Sequence, residues 1–207
     1  MTLILADCLP ELRKMKTRGV DLILTDPPYG IGHGTSRSAN SIFRFFKPKP
    51  WDTAVPSPAI FQEMLRVGRR HIFWGGNYFT DRLPASNAWL VWYKMGGLPS
   101  LQFSECELAW TSCNTKPLVF NCRHRGCLKD SKETLVAHPT QKALEVMKWC
   151  VELFSKHGDT ILDPFMGSGT NGVACALLGR NFIGIERDPE YLDLAKRRLA
   201  LAKLGQL

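Results

Sequence analysis

Thr25-Asp26-Pro27-Pro28-Tyr29-Gly30 closes the apolar run Val20-Asp21-Leu22-Ile23-Leu24. The run reads as a short buried strand. Two consecutive prolines can neither continue a strand nor enter a helix interior, so the chain leaves the sheet here in a fixed, extended turn. Proline has no N–H, which leaves the turn's carbonyls free to serve a ligand. The turn offers an acceptor-only carboxylate on Asp26, fixed backbone carbonyls at Pro27 and Pro28, and the aromatic face of Tyr29. Such a set suits a planar ring carrying an amino group. The acid and a carbonyl accept the amino hydrogens while the tyrosine stacks on the ring.

A second punctuated stretch lies far downstream. Thr160-Ile161-Leu162-Asp163 reads as a strand and Pro164-Phe165-Met166-Gly167-Ser168-Gly169-Thr170 as a glycine-rich turn. A helix follows to Gly179, then a strand, Phe182-Ile183-Gly184-Ile185-Glu186. This is a βαβ unit. Gly167 and Gly169 let backbone N–H groups approach a ligand closely, and Glu186, about 20 residues further on, suits both hydroxyls of a ribose. Asn171-Gly172 breaks the register of the dinucleotide fingerprint, which makes a dinucleotide site the weaker reading. Asp7 ends the first apolar strand, Thr2 to Ala6, just ahead of a helix. It reads equally as a helix N-cap and as an acceptor for an adenine amino group.

Together these segments resemble the S-adenosylmethionine-dependent DNA amino-methyltransferases in which the catalytic motif precedes the cofactor motif, the beta-class order. Asp26-Pro27-Pro28-Tyr29 resembles the catalytic tetrapeptide, and Asp163 to Thr170, with Phe165, Gly167, Ser168 and Gly169, the cofactor loop. Glu186 matches the ribose-binding acid and Asp7 the acid beside the cofactor adenine. His138-Pro139-Thr140-Gln141-Lys142 is similar to the segment before the cofactor helix, with Ala143 where proline is usual; Thr140 and Lys142 are its candidate cofactor contacts. The resemblance implies a Rossmann-like α/β fold. Its sheet has seven mostly parallel strands, one of them antiparallel, and helices on both faces. It implies direct methyl transfer from S-adenosyl-L-methionine to the exocyclic N6 of an adenine extruded from DNA, as in enzymes of restriction-modification or phage type. Asp rather than Ser before Pro-Pro-Tyr resembles the adenine enzymes more than the N4-cytosine ones. An N4-cytosine DNA methyltransferase, an RNA adenine methyltransferase and a silent nucleic-acid-binding subunit are the alternatives. Glutamine methyltransferases carry Asn first and place the cofactor motif earlier.

Composition fits this. The 207 residues carry a formal charge of +8 and 44% apolar residues, enough for one domain with a sizeable core and a polyanionic partner such as DNA. Residues 31 to 51 mix Arg37, Arg44, Lys47 and Lys49 with Phe43, Phe45, Phe46 and Trp51, which suits a phosphate backbone and unstacked bases. Arg123 and Arg125 lie in a second basic segment, Arg123 to Lys132, read as a loop. Residues 94–138 leave room for only a small target-recognition insertion within the single domain 1–207. That implies a short or relaxed target, or a homodimer that shares the work. Seven scattered cysteines read as reduced thiols in a cytoplasmic protein. Cys122 and Cys127, even with Cys113, match no common zinc spacing, so no metal is expected. No apolar run is long enough to span a membrane, and the N-terminus lacks the basic region of a signal peptide.

Overall fold

The Val20–Thr25 run places β2 (Leu22–Thr25) at the centre of the sheet, with all four residues buried. The computed structural model describes residues 1–32, 52–95, 104–125, 128–129 and 141–206. Its other strands are β1 (Thr2–Leu5), β3 (His71–Trp74), β4 (Trp89–Tyr93), β5 (Cys106–Thr111), β6 (Leu118–Asn121), β7 (His124–Arg125), β8 (Leu128–Lys129), β9 (Thr160–Asp163) and β10 (Asn181–Glu186). The helices are α1 (Cys8–Lys14), α2 (Pro58–Val67), α3 (Leu144–Phe154), α4 (Thr170–Leu177) and α5 (Pro189–Lys203).

The main sheet has eight strands in the order β1-β10-β9-β2-β3-β5-β4-β6. Only β5 runs antiparallel, between β3 and β4. The expected seven strands are therefore one short, because Leu118–Asn121 adds itself in parallel to the edge of β4. Its alternating, half-buried pattern is what a sheet margin tolerates. β7 and β8 form a separate antiparallel pair, so the segment read as a loop from Arg123 contains a small hairpin.

Alternation along the central strands divides the core. Leu22, Leu24, Ile72 and Trp74 point to the face covered by α3, α4 and α5, while Ile23 and Phe73 point to the face covered by α1 and α2. The helical spacing of the sequence predicts two apolar stripes, and both are buried: Leu192, Ala195, Leu199 and Ala202 on α5, and Val146, Met147, Cys150, Val151 and Phe154 on α3. α5 starts as its sequence dictates, with the Asp188 carboxylate accepting from Glu190 N at 2.9 Å and Pro189 in the first turn.

Two local expectations change. α3 begins at Leu144 with Ala143 as its N-cap, so the helix starts too late for Thr140 to cap it; Thr140 itself lies outside the described residues. The short helix expected from Asn77 to Leu83 shrinks to a single 3-10 turn, Gly76–Tyr78. It enters that turn from Gly75 at φ +73°, a left-handed conformation natural to glycine. The six described cysteines are unbridged and all but Cys106 are buried. Burial pushes the Cys8 thiol up to about 12 and those of Cys150 and Cys175 higher, consistent with packing roles. No helix among the described residues is long and apolar enough to cross a membrane.

Candidate active site

β2 and β9 are parallel neighbours, with Leu22 opposite Ile161 and Ile23 opposite Leu162. Both therefore release their next residues at the same carboxyl edge, where open α/β sheets bind ligands. This register joins two segments distant in sequence. Thr25 Oγ1 donates to Asp163 Oδ1 at 2.7 Å, and Asn171 Nδ2 donates to Leu24 O at 2.9 Å and to Asp163 Oδ2 at 2.7 Å. The proline turn and the glycine turn are thus stitched together by buried hydrogen bonds.

Asp26 stands at this seam, three-quarters buried. Its Oδ2 is 2.8 Å from Lys142 Nζ, and its Oδ1 accepts from the Tyr29 hydroxyl. Lys142 Nζ also lies 3.0 Å from Tyr29 Oη and 2.7 Å from Glu107 Oε2. Burial raises the Asp26 carboxyl above its ordinary value, against the pull of Lys142. Burial also raises the Tyr29 hydroxyl, which keeps it protonated and a donor. The Tyr29 ring stacks on Tyr78 with centroids 4.8 Å apart and planes 14° apart, and Gly75 backs it so closely that a methyl there would overlap the ring. Pro27 is buried and Pro28 half-buried. The turn is pinned from behind by Asp52, whose Oδ1 accepts from Tyr29 N at 2.7 Å and Gly30 N at 2.8 Å.

The glycine turn is built differently. Asp163 is buried and fully engaged with Thr25, Asn171 and Phe165 N, so its carboxylate serves the turn itself. Burial pushes its carboxyl up to about 7. Ser168 and Thr170 point inward to Arg198, a fully buried arginine of α5. Arg198 Nη1 donates to Ser168 O at 2.6 Å, Ser168 Oγ at 2.9 Å and Thr170 Oγ1 at 3.0 Å. Gly169, at φ +78°, packs against Ala195, where a side chain would collide. Gly167 is the opposite case: at φ +51° it has open space where a Cβ would stand. Phe165 is half-buried beside it.

Glu186 closes the edge at the end of β10. Its Oε2 accepts from Gly167 N at 2.9 Å and its Oε1 from Asp188 N at 2.8 Å, which leaves each oxygen a second lone pair. Burial raises its carboxyl. Asp7 lies alongside, because Leu5 pairs with Glu186. It is exposed and caps α1 through Leu9 N at 2.9 Å. The N-cap reading is realised, and the residue still sits on the ligand edge.

The structure thus gathers Asp7, Asp26, Tyr29, Lys142, Phe165, Gly167 and Glu186 on one edge. It turns Asp163, Ser168 and Thr170 into the scaffold and puts Lys142 on the Asp26 carboxylate. Arg123 is exposed, and the Arg125 backbone lies in β7. Arg37, Arg44, Lys47 and Lys49, like Cys127, lie outside the described residues. Sequence reasoning missed Asp52, Glu107, Asn171 and Arg198. Two of these had a signal: Asp52 is the first acid after a long basic stretch, and Glu107 is an acid inside a strand.

A mostly parallel sheet with an acid-Pro-Pro-aromatic turn beside a glycine turn and a ribose-type acid defines a nucleotide-cofactor transferase of the amino-group type. A family described as DNA methylase, of the N6/N4 type, matches residues 74–197. The chain belongs to this family of S-adenosylmethionine-dependent DNA methyltransferases. It is 27% identical to the type II methyltransferase M2.MboI of Moraxella bovis, over 93% of this chain and 85% of that protein. Its fold is similar to the M1.HpyAVI–SAM complex, with TM-score 0.60 and 24% identity over 96% of this chain and 98% of that one. It is also similar to the cytosine-N4-specific PvuII DNA methyltransferase, with TM-score 0.65 and 14% identity over 95% and 85% of the two chains.

The edge fits S-adenosylmethionine on its own chemistry. The bare face of Gly167 leaves a cradle that any side chain would fill, and Glu186 presents two preset acceptors beside it.

Proposed function

We propose that this protein methylates the N6 amino group of adenine in DNA by direct transfer, with Asp26 as the acceptor that holds that amino group. The observation that carries this reading is the Asp26 carboxylate, fixed at the seam between the two turns and partnered by Lys142 and Tyr29.

Glu186, the Gly167 backbone, Phe165 and Asp7 would hold the cofactor, which supplies a methyl group made electrophilic by its sulfonium. Asp26 and the Pro27 carbonyl accept the two amino hydrogens of an extruded base. Accepting both favours a more tetrahedral nitrogen, with its lone pair aimed at the methyl carbon. The base amino group takes the place of the Tyr29 hydroxyl on Asp26 Oδ1, and the Tyr29 ring then stacks on the base. On taking up the methyl group the base nitrogen would shed one proton toward Asp26 and solvent. Positioning and electrostatics supply most of the rate, and no cysteine nucleophile takes part.

DNA would meet the enzyme along this same edge. β2, β4 and β6 all run in one direction, so the connections that follow them leave the sheet at the same carboxyl edge as Asp26. Those connections contain the basic residues Arg37, Arg44, Lys47, Lys49, Arg123 and Arg125. Target recognition is assigned to residues 94–138 within the single domain. So small an element fits a short or relaxed target, or a homodimer.

The test is methylation of duplex DNA with labelled cofactor, followed by digestion to nucleosides and mass spectrometry. N6-methyladenine is expected. N4-methylcytosine would move the base assignment, and label confined to RNA would overturn the DNA reading.

A further inference from the structure

Lys94, Glu107, Lys142 and Asp26 form a chain of alternating charge. Lys94 Nζ is 2.9 Å from Glu107 Oε1, Glu107 Oε2 is 2.7 Å from Lys142 Nζ, and Lys142 Nζ is 2.8 Å from Asp26 Oδ2. The four come from separate parts of the fold: the end of β4, the antiparallel strand β5, the approach to α3, and the turn after β2. Their side chains are between 10% and 25% exposed, so water screens the chain only weakly. The transfer chemistry uses only the last member directly.

The geometry gives the others a purpose. Lys142 has three N–H donors, and Asp26, Glu107 and Tyr29 surround them. A lysine paired with Asp26 alone would bind its carboxylate tightly and weaken it as an acceptor for a base amino group. A lysine shared between two carboxylates gives less to each, and its direction is fixed by both.

Resting on the reading that Asp26 accepts from the base amino group, we propose that Glu107 is a positioning residue for methyl transfer. By anchoring Lys142 from behind, it keeps the Asp26 carboxylate aimed and only partly neutralised. Lys94 holds Glu107 in turn.

The electrostatics agree. Burial pushes the Glu107 carboxyl up, and Lys142 and Lys94 together more than reverse this, bringing it to about 2. Glu107 therefore stays charged wherever the enzyme works. The groups that face Asp26 are Lys142, which lowers its carboxyl, Glu107, which raises it, and the Tyr29 hydroxyl, which lowers it. Asp163 also feels the Asp26 charge, through Thr25.

The experiment compares the full-length wild type with Glu107→Gln, Glu107→Asp, Lys94→Met and Asp26→Ala. It measures kcat, KM for duplex DNA and cofactor affinity from acid to alkaline pH. Glu107→Gln should lower kcat by about tenfold or more, with KM and cofactor affinity within about twofold. Its acid limb should move to lower pH, because Glu107 no longer raises Asp26. Lys94→Met, one step further out, should move that limb the opposite way, a check that survives if Glu107→Gln folds poorly. Glu107→Asp keeps the charge and should restore part of kcat. A wild-type rate in Glu107→Gln, or a lower rate with both acid limbs unmoved, overturns the inference while an inactive Asp26→Ala leaves the reading beneath it standing. An active Asp26→Ala overturns both.

Discussion

The two turns that meet at the carboxyl edge are made of similar residue types and use them in opposite ways. In the proline turn, Asp26 and Tyr29 keep partial exposure to solvent and are tied to Lys142. In the glycine turn, Asp163, Ser168 and Thr170 are buried and spent on Thr25, Asn171 and Arg198. In the proposed function, one turn keeps its polar groups for the ligand. The other consumes them to hold a bare backbone, Gly167, in place beside Glu186. A polar residue in a binding motif is thus not always a ligand contact.

The comparison is broken hardest at Asp163. Asp163→Ala strands two buried donors, Thr25 Oγ1 and Asn171 Nδ2, and the part-buried Phe165 N. A loss of about 3 kcal/mol in unfolding free energy is expected in chemical denaturation, together with weaker cofactor binding. Unchanged stability would mean that Asp163 serves the ligand after all. Arg198→Met should cost about 2 kcal/mol by the same measurement, since it leaves the Ser168 carbonyl and two hydroxyls without their donor. Gly75→Ala forces a side chain at φ +73° into the Tyr29 ring. It should cost about 1 to 2 kcal/mol and lower kcat more than cofactor affinity, because it disturbs the other turn. Lys196→Ala, which removes an exposed pair with Asp193, should stay within about 0.5 kcal/mol.

Acidity sharpens the same contrast. The Asp163 carboxyl is raised from an ordinary value near 3.8 to about 7, so the folded protein binds this proton more tightly than the unfolded chain. Its contribution to stability is full below about pH 4 and is lost as pH rises toward 7. Denaturation across that window should show the slope in the wild type and lose it in Asp163→Ala.

Most of this edge was legible in the sequence, for physical reasons. Double proline and paired glycines are punctuation that few structures accommodate, so both turns and the central strand could be placed. Asp188-Pro189 and the α5 stripe likewise have one reading. The eighth strand was harder, since Leu118–Asn121 is a short edge strand whose membership depends on β4. Glu107 and Lys142 were beyond reach as a pair: they lie on different elements and meet only because antiparallel β5 starts at the carboxyl edge, which puts Glu107 there. Arg198 reads as part of the solvated face of α5, and only packing reveals that it lies under the glycine turn.

The most direct test of the whole account is Asp26→Ala, followed by calorimetry with S-adenosylmethionine and by transfer to duplex DNA. The account predicts cofactor affinity within about twofold of wild type and a transfer rate lower by about a thousandfold or more. Transfer at a rate near that of the wild type would contradict it.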